Sequence, residues 1–113
     1  MNALGVDGEN YAAEFLQRNG CTILERNWRY GHKEVDIIAR DGKYIVFVEV
    51  KTRNMATSAN DVISNSKMRF LVEAAEAYML KFGRTEEIRF DVVVLTVSKK
   101  GGYFVDYIRE AFH

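Results

Sequence analysis

The segment from Glu34 to Lys51 constrains this chain more than any other, because it alternates like a buried strand pair yet carries acids where such a pair has none. Asp41-Gly42 lies between two β-branched runs, and Asp and Gly tolerate the positive φ that a tight hairpin turn needs. A loop made by Asp41-Gly42 pairs Arg40 with Lys43, Asp36 with Phe47 and Glu34 with Glu49. The two-residue period of strands then puts Asp36, Glu49 and Lys51 on one face, with Asp36 and Glu49 on a diagonal. Val35, Ile37, Val46, Val48 and Val50 take the other face. A three-residue loop would move Asp36 to the opposite side.

Ile38, Ile45 and Phe47 make the acid-bearing face apolar as well, so both faces are expected to be covered. Carboxylates are costly there unless something compensates them. A divalent cation held by Asp36 and Glu49, with Lys51 beside it, would do so. So would an internal ion pair of Lys51 with one of the acids. Glu34 facing Glu49 sharpens the need for a cation or a basic side chain between them.

At 113 residues, 48% of them apolar, the chain is long enough for one compact core and too short for two ordinary domains, so one domain over 1–113 is expected. It has no run of 18 apolar residues and no basic segment leading into an apolar one, so no membrane span and a cytoplasmic, soluble protein are expected. The single cysteine, Cys21, lies in an apolar run and reads as a small core residue. Net charge is zero, which argues against coating nucleic acid by bulk electrostatics. From Arg26 to Arg69, however, nine Lys and Arg face five Asp and Glu, so the basic excess surrounds the hairpin and favours a phosphate-bearing partner.

Spacing predicts a helix from Val6 to Asn19, stopped by Gly20, with Glu9 on the same flank as Ala12, Ala13 and Leu16. Glu9 either faces the core as a third acid or interacts with the helix dipole at the stripe's margin. Cys21 to Trp28 reads as a strand running into a loop, and Trp28 and Tyr30 alternate with Arg26, Arg29 and Lys33. That interleaving suits a nucleic-acid contact, or aromatic packing under the sheet edge. His32, beside the proposed site, is either a proton carrier or a solvated loop residue. Thr52 to Asn60 reads as a loop, and Asp61 to Phe82 as the longest helix, capped by Asn60 or Asp61. Its inward stripe holds Ile63, Phe70, Leu71, Ala74, Ala75 and Tyr78, with Lys67 either snorkelling or aimed at the acids. Ile88 to Val97 reads as a central strand parallel to the Phe47 strand, and Tyr103 to Ile108 as an edge strand followed by a short tail.

The chain resembles the bacterial YraN-like proteins, the UPF0102 group, from end to end. The resemblance rests on Gly8-Glu9 before Ala12-Ala13 and Leu16, Arg26-Asn27-Trp28-Arg29, Glu34 to Ala39, Asp41-Gly42, Phe47 to Arg53, Lys67 before Ala74-Ala75, Arg89 to Val93, and Ala111-Phe112. It implies an α/β, restriction-endonuclease-like PD-(D/E)XK core related to archaeal Holliday junction resolvases. The expected architecture is a central mixed sheet flanked by helices, in the order α-β-β-β-α-β-β. It further implies Asp36, Glu49, Glu9 and the Val50 carbonyl as ligands of Mg²⁺ or Mn²⁺, with Lys51 orienting the attacking water and Lys67 contacting phosphate. Two positions depart from the pattern: Lys33 stands where the family has glycine, and Val35 where the fold's namesake motif has proline.

The activity expected on these grounds is metal-dependent endonucleolytic cleavage of DNA, branched DNA included, by Asp36, Glu49 and Lys51. Arg29, Lys33, Arg53, Lys67 and Arg69 would hold the phosphate backbone. The alternative is a nucleic-acid-binding or protein-interaction module that keeps the fold without turnover. A related resolvase would act as a homodimer, since two opposed strands need two sites.

Overall fold

A computed structural model describes residues 3–54 and 63–112, with side chains from Gly8 onward. The elements are α1 (Ala3–Arg18), β1 (Thr22–Tyr30), β2 (Lys33–Asp41), β3 (Tyr44–Arg53), α2 (Asn65–Lys81), β4 (Glu87–Val97) and β5 (Tyr103–Phe112). The five strands form one sheet in sequence order, antiparallel except for the parallel pair β3 and β4. The intervening α2 is what makes that parallel pairing possible, because a parallel connection has to cross over the sheet. The predicted element order and the edge position of β5 agree with this arrangement.

The helices lie on opposite faces. Ala12, Ala13 and Leu16 of α1 pack on Ile37, Ala39, Val46, Val48, Val93 and Leu95. Phe70, Leu71, Ala74, Ala75 and Tyr78 of α2 pack on Ile38, Ile45, Phe47 and Phe90. Both stripes follow the i, i+3, i+4 spacing of a buried helix face. No helix among the described residues is long and apolar enough to cross a membrane.

Helix ends follow local chemistry. α1 stops where Gly20 takes φ +91° and the Gly20 and Cys21 N–H groups bond the Gln17 and Leu16 carbonyls. It begins earlier than the predicted Val6, so Glu9 falls beyond the first turn and the dipole reading of that residue loses its basis. The cap of α2 is Ser64, whose hydroxyl accepts from the Lys67 N–H at 3.1 Å. The predicted caps, Asn60 and Asp61, lie outside the described residues. β3 extends through Thr52 and Arg53, and β5 runs on to Phe112 where a tail was expected.

The hairpin turn is displaced by one residue from the predicted one. Asp41 pairs with Tyr44, Ile38 with Phe47 and Ile37 with Val48, so Gly42-Lys43 forms the loop. Only Gly42 has positive φ there (59°), at the first central position, where a glycine suits a primed turn. Asp41 is engaged elsewhere: its carboxylate receives the Arg89 guanidinium at 2.8 Å. Each residue of β2 therefore lies opposite a partner two positions later than expected, an even shift that preserves faces. The expected Asp36–Phe47 and Glu34–Glu49 pairings do not form. Glu34 instead pairs with Arg29 of β1, which also meets it as an ion pair at 3.6 Å.

One irregularity was not anticipated. Arg26 pairs with Ile37 and both face α1, while Trp28 and Val35, paired two residues further on, face α2. Alternation reverses at Asn27, which adopts φ +53°, and at Asp36 opposite it in the twist. Val35 consequently belongs to the α2 layer and not, as expected, to the layer of Ile37.

Gly8 brings α1 close to the end of β3. A Cβ built on it would stand 2.5 Å from Thr52 Oγ1 and 3.5 Å from Leu95 Cδ1. Gly8→Ala gains helix propensity but overpacks this contact, for a net loss of about 1 kcal/mol in urea unfolding. Adding Thr52→Ala removes the obstructing oxygen and restores stability. A double variant no better than the single one would show that the contact is not what fixes glycine there.

Candidate metal and phosphate site

The hairpin brings Asp36 and Glu49 together on adjacent strands. Ladder pairing stops at Ile37 and Val48, and beyond it Asp36 Oδ2 accepts the Val50 N–H at 2.8 Å, taking the place of a strand carbonyl. Glu49 follows Phe47 on the α2 face, where its Oε2 meets Lys67 Nζ at 3.3 Å. Both partners of that pair are well covered, Glu49 being 14% exposed and Lys67 26%. Of the two readings of Lys67, the ammonium aimed at the acids is the one realised; it also lies 5.3 Å from the Phe70 ring centroid.

The acid pair is costly to ionise fully where it lies. Burial, then a shared hydrogen bond with Glu49 and its charge, push the Asp36 carboxyl up to about 8. The Val50 N–H and the Lys67 charge work in the opposite direction and do not prevail. Two carboxylates at close quarters cannot both ionise cheaply with one ammonium between them. Lys51 stands on the same face by alternation and is half-buried, and its ammonium forms no ion pair among the described residues. The internal Lys51 ion pair considered from the sequence is thus absent, and Lys67 occupies that role toward Glu49.

Glu9 does not join the pair. Its carboxylate accepts the Asn27 amide at 3.1 Å, beside the Arg26–Asn10 bond of 2.9 Å. Among the described residues no three His, Cys, Asp or Glu side chains gather as a metal-sized group. A Mg²⁺ ion typically takes one or two carboxylates and fills its remaining positions with water and phosphate. The donors present, the two hard carboxylates of Asp36 and Glu49 side by side, fit that pattern.

The basic residues divide. Arg53 donates to Thr96 Oγ1 at 3.2 Å, Arg29 is paired with Glu34, and Lys33 and Arg69 line a pocket with Tyr30, His32 and Phe70. Trp28 packs edge-on against Tyr78 at 5.2 Å, so the sheet-edge reading holds for that ring.

A second polar cluster, unassigned in the sequence reading, lies on the α1 face nearer the turn. Arg89 sends Nε and Nη2 to the two oxygens of Asp91 at 3.0 and 2.9 Å and Nη2 to Asp41. Asp91, wholly buried, also accepts from Tyr107 Oη at 2.6 Å and from the Glu110 N–H at 3.1 Å. Burial and the Asp91 carboxylate hold the Tyr107 phenol well above its usual range. The alternation of Arg89 and Asp91 with apolar residues was the only signal in the sequence. Their partners come from β2 and β5, which local spacing cannot reveal. Burial pushes the neighbouring Cys21 thiol up, which makes it a packed core group and an inert nucleophile.

Similarity to other proteins agrees with the site's sequence marks. The family model described as "Uncharacterised protein family UPF0102" matches residues 8–95, the stretch that carries Glu9, the acid pair and Lys67. This chain belongs to the UPF0102 family. A UPF0102 protein of Chlorobium chlorochromatii is 40% identical over 116 residues, covering 96% of this chain and 90% of the relative. UPF0102 proteins of Bacteroides fragilis and Bacteroides thetaiotaomicron are 39% and 40% identical over 114 residues, each alignment covering 99% of this chain and 93% of the relative. UPF0102 membership thus spans the whole hairpin and both helices, and it names no reaction.

Proposed function

We propose that this UPF0102 chain is a Mg²⁺- or Mn²⁺-dependent endonuclease of the PD-(D/E)XK type that acts on DNA, branched DNA included. The observation that carries the reading is the acid pair: Asp36 and Glu49 held side by side on adjacent strands with Lys67 against Glu49, the Asp36 carboxyl pushed up to about 8, first by burial and then by Glu49. Two buried carboxylates that cannot both ionise cheaply are donors of the kind a divalent cation binds, because the cation offsets the second charge.

Asp36, Glu49 and the Val50 carbonyl would hold the ion. When bound, it supplies Lewis acidity that lowers the pKa of water and offsets charge developing on the scissile phosphate. Lys51 orients the attacking water from the same face, and its ammonium stabilises the extra charge of the transition state. Lys67, in contact with Glu49, presents its remaining donors to a phosphate oxygen. Arg29, Lys33, Arg53 and Arg69 bind the backbone on either side. Glu9 would contribute by exchanging its Asn27 bond for the ion.

That Asn27 bond also favours a second reading, in which the chain binds nucleic acid without cutting it. Incubating the chain with labelled duplex and four-way-junction DNA under Mg²⁺, Mn²⁺ or Ca²⁺ separates the two. Endonucleolytic products with Mg²⁺ or Mn²⁺ support the enzyme. Calorimetry showing no divalent-cation binding, together with intact DNA, would overturn it.

A further inference from the structure

A pocket of about 310 Å³ opens between the β1–β2 turn and the start of α2. Tyr30, His32 and Lys33 form one wall, and Ser66, Arg69 and Phe70 the other. It adjoins the acid pair through one side chain, since Lys67 Nζ stands 3.3 Å from Glu49 and 5.3 Å from the Phe70 centroid.

Three properties limit what fits. The volume is at the lower end for small-molecule sites, enough for one nucleotide and far too small for a duplex. Its lining continues an aromatic row, Tyr78–Trp28–Tyr30–Phe70, with successive centroids 5.2, 6.3 and 6.1 Å apart. Phe70 closes that row, buried beneath the Lys33 and Lys67 ammoniums, so an incoming base would meet the half-buried Tyr30 and the exposed His32 at the rim. Lys33 and Arg69 outweigh the single acid on the lining, Glu73, and Lys33 Nζ already lies 5.7 Å over the Phe70 ring. Aromatic side chains flanked by exposed cations are the combination that binds single-stranded nucleic acid: bases stack while the cations follow the phosphates.

A base inside a duplex has both faces covered by its neighbours and cannot enter such a pocket. An unpaired base enters at little unstacking cost. The geometry points to this pocket as the subsite for one unpaired nucleotide next to the phosphate at Asp36 and Glu49. The substrate class is therefore DNA in which duplex meets a single-stranded base, as at a flap, gap or branch. This rests on the nuclease reading for the identity of the neighbouring site, while the subsite is detectable without cleavage.

The test uses the whole chain in Ca²⁺ with three labelled DNAs of one sequence: full duplex, duplex with one unpaired nucleotide, and single strand. A 2-aminopurine at the unpaired position reports stacking. The expected result is about tenfold tighter binding of the DNA with the unpaired nucleotide than of the duplex, with the fluorophore quenched. Tyr30→Leu and Arg69→Ala abolish the preference and the quenching, and Tyr30→Phe keeps both. Arg69 is exposed, so its variant leaves folding untouched should Tyr30→Leu unfold. Equal binding of duplex and unpaired DNA, unaffected by Arg69→Ala and Tyr30→Phe alike, overturns the subsite. Duplex cleavage in Mn²⁺ without any preference overturns the subsite alone, leaving the nuclease reading intact. Preference and quenching without cleavage under any metal support the subsite and overturn the nuclease reading.

Discussion

Asp36→Asn is expected to abolish the proposed metal-dependent cleavage and at the same time to make the metal-free protein more stable above neutral pH. The folded value of this carboxyl, about 8, lies above its ordinary 3.8, so the folded chain keeps a proton that the unfolded chain releases. Its contribution to stability is then fully present below about pH 4 and is lost as pH rises through about 8. Asparagine has the shape of the protonated acid. It still accepts the Val50 N–H, can donate to Glu49 and never ionises. Urea unfolding of the variant should therefore show a flatter pH dependence between pH 4 and 8. At pH 8.5 its advantage should be about 2 kcal/mol, after discounting for water that reaches the pair. Saturating Mg²⁺ recovers the difference for the parent and does little for the variant. Cleavage falls by about a thousandfold or more, since several kcal/mol of charge stabilisation leave with the ligand. A variant less stable than the parent across the whole range would remove the costly-ionisation argument for the site.

Arg89→Met has the largest effect on folding. It leaves Asp91 wholly buried with only Tyr107 and the Glu110 N–H as partners, and it frees Asp41. Removing one member of a buried pair costs about 3–5 kcal/mol, a large share of the 5–15 kcal/mol that holds a domain together. Replacing both charges in Arg89→Met/Asp91→Leu removes the stranded carboxylate and should recover most of the loss, as seen by the urea midpoint. If the double variant is as unstable as the single one, the network's role is positional beyond its charges. Because this cluster lies on the α1 face, neither change touches the acid pair on the α2 side.

The contrast between these two clusters explains what the sequence disclosed. Asp36, Glu49 and Lys51 sit in one hairpin, where period-two spacing and a turn signal suffice to bring them to one face. Lys67 was legible on its helix stripe, and only packing could decide where its ammonium went. The turn was misplaced because Asp-Gly chemistry is local, while Asp41 is held by a residue 48 positions away. The error left the faces right because it was even-numbered, but it created a Glu34–Glu49 repulsion that the protein avoids by giving Glu34 to Arg29. The extension of β5 was hidden for the same reason: Glu110 adopts φ 50° with its N–H on Asp91. Glu9 shared a flank with apolar residues as read, yet its partner, Asn27, comes from a strand whose reversal no periodicity announces.

That reversal turns the Trp28–Tyr30 end of β1 toward the second helix. Before Asn27 and after Asp36 the strands are covered by both helices, while Trp28, Tyr30 and Val35 beyond the reversal pack on the α2 side. Residues 31–33 thus form a fingertip beside the second helix, linked to the carboxylates through the Phe70 ring that Lys33 and Lys67 share. Lys33, where the pattern expects glycine, is a change of fingertip. Swapping the length or charge of this tip between UPF0102 proteins would change the rim of the pocket while leaving the Asp36 and Glu49 positions in the sequence unchanged.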